Sequence, residues 1–347
     1  MSKAEHAWSK LRKVELSPLR QRGRQSARTD LAIEARELMQ SPLGANSGIV
    51  ESFEDLDDIR VSRVFVKTKV AERKIGKKKG HYVTLEVPGL RQRNPDLQER
   101  VAEVFAKEFE SLLKLPSDAS VLVVGLGNSQ VTPDSLGPHV IQNLFVTRHL
   151  FTYMPEILGD GKGYRVVSAI APGVLGVTGM ETSEIVQGIV DKVRPDAVVV
   201  VDALAARSLS RLNSTIQLSD SGIQPGAGVG NRRRAITAET LGVPVLAVGI
   251  PTVVEAATIA LDTMDRVTRT YHELLPGKGP HNILKPWTSE DKGKMVREVL
   301  TPLGDNLMVT PKEIDEFMDD MATVVAKGLN VALHPAMTLA DAAMLTH

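Results

Sequence analysis

Two kinds of apolar pattern run along this chain. Val121-Leu-Val-Val124 and Ala197-Val-Val-Val-Val201 are unbroken apolar runs, the mark of strands buried on both faces of a parallel sheet. Ile59–Val66 and His81–Val87 alternate instead, as half-buried strands do. Further strands are expected at 165–170 and 244–250. Helical spacing places Leu97, Val101, Val104, Phe105, Phe109 and Leu112 on one side of a helix over 96–115. Helices are also expected near 135–149, 181–194, 234–241 and 252–272. Thr29 or Asp30 is expected to cap a short helix. Thr310-Pro-Lys-Glu313 has the form of a capping box, opening a helix that ends at Gly328. Pro276–Ser289 reads as a loop. The alternation predicts an α/β fold: a doubly wound, mostly parallel sheet flanked by helices, with an N-terminal β-hairpin and helix extension. Residues 1–30 form a leader. Residues 31–347 form one domain, with the extension at 31–118 and the core at 119–347.

Both Val runs end in an acid. The first leads through Gly125-Leu-Gly-Asn128 to Val131-Thr-Pro-Asp134, and the second runs directly into Asp202. Ligand crevices lie outside the carboxyl ends of such strands, so Asp134 and Asp202 are candidates for one shared site. Local pattern alone equally allows two helix caps.

Composition narrows the chemistry. The chain has 42% hydrophobic and 24% charged residues, which suits a large core. It has no cysteine, which excludes thiol nucleophiles, disulfides and thiolate metal sites. No apolar stretch reaches membrane-spanning length, and the N-terminus lacks a signal-peptide core. A cytoplasmic protein is expected. Net charge is zero, yet residues 1–30 carry eight Lys/Arg against three acids, so a +5 leader precedes a −5 body.

Several motifs fail. Gly125-Leu-Gly127 lacks the third glycine of a dinucleotide turn, and Asp134 would repel a pyrophosphate. No P-loop of the Gly-x-x-x-x-Gly-Lys form and no Gly-x-Ser-x-Gly elbow occurs. His272-Glu273 meets Pro276 where a zinc helix needs its second His. No cofactor is expected, and carboxylates remain as the main chemistry. Glycine clusters at Pro172–Glu181, Pro225–Asn231 and Gly249–Thr252 permit close approach of another backbone, such as an extended peptide. The basic loop Glu72–Gly80 lacks the aromatics of a nucleic-acid surface and reads as a solvated turn.

In this combination Gly125–Asn128, Val131–Pro138, Val201–Arg207, Asp220–Ile223, Gly226–Asn231, Gly249–Val254 and Asn306–Glu313 resemble the germination proteases of spore-forming bacteria. The resemblance runs from about Arg28 to Leu333. It implies a fold similar to that of hydrogenase maturation proteases. It also implies an endopeptidase that degrades small acid-soluble spore proteins in the forespore and spore core, made as a homotetrameric zymogen that processes itself. By resemblance the catalytic aspartates map to Asp134 and Asp202. Such enzymes cut after an acid and before an aliphatic residue followed by Ala. Thr29-Asp30-Leu31-Ala32 has that form, which places self-processing between Asp30 and Leu31 and releases the +5 leader. Arg207, Arg232 and Arg233 are candidates to read the acidic side chain. The resemblance leaves a second mechanism open, in which Asp134, Asp202 and His139 hold a metal. Against the protease stand a nucleotide-binding protein using Gly125–Asn128, and a DNA-binding protein using Lys77–Lys79 and Arg232–Arg234. Neither a nucleic-acid nor a membrane partner is expected.

Overall fold

The two Val runs alternate their side chains between two buried faces, and this is what builds the centre of the molecule. In the computed structural model, Val121, Val123, Val199 and Val201 face one core, while Leu122, Val124, Val198 and Val200 face another. The structure describes residues 29–39, 47–158, 161–226, 233–274, 288–300 and 307–345.

Along the chain, the elements begin with α1 (Ala32–Glu37), β1 (Ile49–Leu56), β2 (Ile59–Val66), α2 (Lys69–Ile75), β3 (Gly80–Glu86) and α3 (Pro95–Leu112). Next are β4 (Ser120–Gly125), α4 (Leu136–Gln142), α5 (Arg148–Tyr153), β5 (Val166–Ile170), α6 (Leu175–Thr178) and α7 (Thr182–Val193). Then follow β6 (Ala197–Ala206), β7 (Thr215–Ser219), α8 (Ala238–Leu241), β8 (Val245–Glu255), α9 (Ala256–Leu274) and α10 (Ser289–Leu300). The last are β9 (Met308–Val309), α11 (Ile314–Leu333) and α12 (Leu339–Leu345).

The strands form one mixed sheet in the order β1-β2-β3-β7-β8-β6-β4-β5, with β9 also on β8. Strands β8, β6, β4 and β5 pair in parallel. The extension's β1–β3 join the same sheet antiparallel through β7. Helices α3, α4 and α11 cover one face of the parallel part and α7 the other. A third apolar cluster joins Leu31, Ala32 and Ile33 to β2, Leu204, Ala206 and Val254. Strand β4 lies between β5 and β6, so successive connections from β4 and β5 lead to opposite sides of it. That is a topological switch point, and it opens a crevice at the ends of β4 and β6.

Tertiary contacts adjust several boundaries. Strands β6 and β8 run past their apolar cores to Ala206 and Glu255, paired to each other through an irregularity at Leu204/Ala205. Strand β1 carries no clear apolar pattern, and pairing rather than patterning defines it; β7 alternates over only five residues, with Ile216 and Leu218 buried. The first helix takes no cap from Thr29 or Asp30, whose side chains are spent elsewhere, as described below. Thr310 caps nothing either. Helix α11 starts at Ile314 without a side-chain cap, because the Thr310 hydroxyl donates to Thr252 O at 2.9 Å. Nor does Gly328 end α11. It lies inside the helix, where a Cβ would fall 2.4 Å from Phe105 of α3, so it is a contact glycine. Much of Pro276–Ser289 lies outside the described residues.

Candidate active site

Asp134 is delivered by a tight return from β4 to α4. Gly125 and Gly137 touch backbone to backbone: a Cβ on Gly125 would lie 2.3 Å from Gly137 O, and one on Gly137 2.3 Å from Leu126 O. Gly127 sits at φ +111°, and a Cβ there would fall 1.9 Å from Asp134 O. The glycines read as a failed dinucleotide turn therefore serve to place an aspartate. Asn128 N donates to Asp134 O at 2.9 Å, and Thr252 Oγ1 donates to Pro133 O at 2.6 Å, tying the turn to β8. The cap of α4 is Ser135, without a side-chain bond. Asp202 lies inside β6, opposite Gly249 of β8. Neither aspartate caps a helix.

Both line one cavity of about 540 Å³, within the usual range for small-molecule and peptide-subsite pockets. Asp202 is only 6% exposed. Burial first, and the neighbouring charge of Asp134 second, push its pKa well above the ordinary aspartate value. Asp134 is half-buried. Burial raises its pKa too, against the pull of the Asn128 N–H and the Arg233 charge. The more deeply buried member, Asp202, bears the greater cost of ionising.

Asp30 enters the same cavity. Its N–H donates to Ala205 O at 2.8 Å, and its carboxylate accepts from Ala205 N at 2.9 Å. Leu31, completely buried, follows it into the core. The Thr29 hydroxyl accepts from Leu31 N at 3.0 Å and donates to Glu34.

The arginines divide. Arg233 lines the cavity and its charge acts on both aspartates. Its Nε finds no hydrogen-bond partner among the described residues. Arg207 lies outside the cavity lining, paired with Asp262. Arg232 lies outside the described residues. His139 is on α4, where its Nδ1 meets Asp319 at 3.0 Å, and the structure does not bring it to the aspartate pair. Among the described residues no three His, Asp or Glu side chains gather as metal ligands.

Sequence reasoning missed Lys77, Gln217, Thr252 and Thr310 in the cavity wall. No local signal separates Lys77 from its exposed neighbours Lys78 and Lys79. Lys77 and Arg233 line the cavity, whereas Lys78, Lys79 and Arg234 are exposed.

A family model described as germination protease matches residues 27–288 and 282–346. The chain belongs to the germination protease family. The two matched pieces overlap at 282–288. A germination protease of a Geobacillus species (strain WCH70) is 46% identical over 93% of this chain and 97% of its own length. That of Bacillus velezensis is 48% identical over 88% and 93%, respectively, and that of Bacillus cereus AH187 45% over 93% and 97%. As a member of this family the chain is a peptidase of spore germination. A nickel–iron hydrogenase maturation protease from Thermococcus kodakarensis aligns over 45% of this chain and 92% of its own, at 17% identity and a TM-score of 0.26. Among the described residues no helix is long and apolar enough to cross a membrane.

Proposed function

We propose that the cavity is the active site of an endopeptidase in which Asp134 and Asp202 act as a catalytic dyad. The observation that carries this is the burial of Asp202 inside β6 beside Asp134, at the switch point of the sheet. Asp134, the more accessible member, takes a proton from water as the water oxygen attacks the scissile carbonyl. Asp202 holds the shared proton and donates a hydrogen bond to the carbonyl oxygen. The proton on Asp134 then passes to the leaving nitrogen as the tetrahedral intermediate collapses. Arg233 stabilises negative charge as it builds. These steps use the chain's own carboxylates and no cofactor.

The substrates are small acid-soluble spore proteins, cut after Asp or Glu, in the cytoplasm of the forespore and in the spore core. The chain is a zymogen and a homotetramer. Residues 1–30 are its propeptide, and the Asp30–Leu31 bond is its own first substrate. The position of Asp30 in the cavity supports this last point. The test is incubation of the purified chain at mildly acidic pH, then N-terminal sequencing and assay on a spore-protein substrate. A new terminus at Leu31 with gained activity is expected. Activity without that terminus removes the processing site, and no cleavage of any spore protein removes the function. Light scattering on the eluted protein reads the number of subunits.

A further inference from the structure

The cavity holds a cation that the dyad chemistry leaves unused. Helix α2 ends at Gly76 in the left-handed region, φ 71°, and the turn brings Lys77 into the cavity wall. The loop is fixed from beneath. Tyr82 OH donates to Lys78 O at 2.8 Å, and Ser221 Oγ donates to Tyr82 OH at 2.9 Å. Lys77 Nζ donates to Thr29 O at 2.9 Å. The next residue, Asp30, is gripped by Ala205 at both its N–H and its carboxylate, and its carbonyl accepts from Gln217 Nε2 at 3.2 Å. Groups from β6, β7 and the loop after α2 thus hold the Thr–Asp pair, with the acidic side chain taking a strand amide.

The electrostatics agree. Crowding raises the pKa of Asp30 and lowers that of Lys77, and the charge of each opposes the shift of the other. Glu34, the other acid near Lys77, is already committed. It accepts from Arg207 N at 2.7 Å and Ser208 N at 2.9 Å and pairs with Arg211 at 3.5 Å. When Asp30 leaves, Lys77 is a crowded ammonium in need of another anion.

We propose that Lys77, with the Ala205 N–H and the Gln217 amide, forms a subsite that selects substrates by an Asp or Glu side chain before the cut, and that Thr29–Asp30 fills it in the uncut chain. The role in cleavage rests on the endopeptidase reading above, whereas recognition of the acid does not. A site built to pair with a carboxylate rejects the neutral amide of the same shape.

Two readouts separate the claims. The first is kcat/KM, for the chain after incubation at mildly acidic pH, on two peptides that differ only in Glu against Gln before the cut. The second is fluorescence anisotropy of the same peptides, labelled, on a chain carrying Asp30→Ala and Asp202→Asn, which has an emptied slot and no dyad. In both, Lys77→Met is expected to lower the Glu-to-Gln ratio about tenfold or more, and Lys77→Arg to keep most of it. Lys77→Gln replaces the Met variant if circular dichroism shows that one unfolded. A ratio unmoved by either neutral variant overturns the proposal. Binding that discriminates through Lys77, with no cleavage by the wild-type chain, upholds the subsite and sinks the endopeptidase reading. Cleavage whose preference ignores Lys77 does the reverse.

Discussion

Asp202 is an expensive residue for its surroundings. An aspartate enclosed by a valine-rich strand and faced by a second acid ionises only at a pH well above its ordinary range. The folded state therefore holds that proton where the unfolded chain has released it. The sign follows: stability declines as pH rises from 3.8 toward the raised value. Asp202→Asn removes the titration. Calorimetry should find this variant more stable than wild type at pH 7, with the gap closing toward pH 4; a variant less stable at pH 7 contradicts the burial argument. The same substitution should cost about 10²- to 10⁴-fold in kcat on a spore-protein peptide, as should Asp134→Asn. Either variant cleaving at the wild-type rate while folded ends the dyad proposal. The wild-type pH–rate profile should be bell-shaped. Its acid limb reports ionisation of Asp134, whose pKa also lies above the ordinary value, and its alkaline limb reports loss of the shared proton. The glycines around Asp134 show how sequence and site connect. Gly125, Gly127 and Gly137 are placed by contacts that leave no room for a Cβ, yet in sequence Gly125-Leu-Gly127 looks like the start of a nucleotide turn.

Strongly patterned elements were legible in sequence, and weakly patterned ones were not. The Val runs became β4 and β6, and the apolar face of α3 packs as its spacing requires, with Asn94 capping it through Asp96 N at 2.9 Å. Strand β7 went unread although Thr215–Ser219 alternates polar and apolar, with Ile216 and Leu218 in the core, because two apolar positions in five residues are too short a run to mark a strand before pairing to β3 and β8 is seen. Helix caps were misread because side chains found other partners: the Asp30 carboxylate and the Thr310 hydroxyl bond to distant strands, and the Thr29 hydroxyl is spent locally on Leu31 N and Glu34. The end of α11 carries its own pH dependence. His334, fully buried, accepts from Arg165 N through Nδ1 at 3.3 Å and donates through Nε2 to Phe145 O at 3.0 Å. Burial pulls its pKa from 6.5 down to about 4. The unfolded chain takes up the proton first as pH falls, so on the order of 3 kcal/mol present above pH 6.5 is lost by about pH 4. Urea unfolding at pH 7 and pH 4.5 should show this loss in wild type and a flatter response in His334→Gln. An equal slope in both would assign it elsewhere.

Across the whole molecule, the segment from Asp30 to Ile33 joins the cavity to the core. Asp30 bonds Ala205 of β6, while Leu31, Ala32 and Ile33 belong to the core. The charge of Asp30 acts on Asp202; under the processing proposal, loosening of Leu31–Ile33 from the core limits the cut at Asp30–Leu31. Ile33→Ala should destabilise the fold by about 2–5 kcal/mol and speed appearance of the Leu31 terminus in a gel time course; slower or unchanged processing would show that loosening is not limiting. Sequence by itself determined the α/β class, the buried parallel strands and the two aspartates at their ends, because each is written as a local pattern. It also read the resemblance from which the family follows. It could not choose among the basic residues. Lys77 and Arg233 reach the cavity while Arg207 is held by Asp262, and that choice depends on strand order and on which loop folds inward. Only the tertiary structure sets those, since they arise from pairing between segments far apart in the chain.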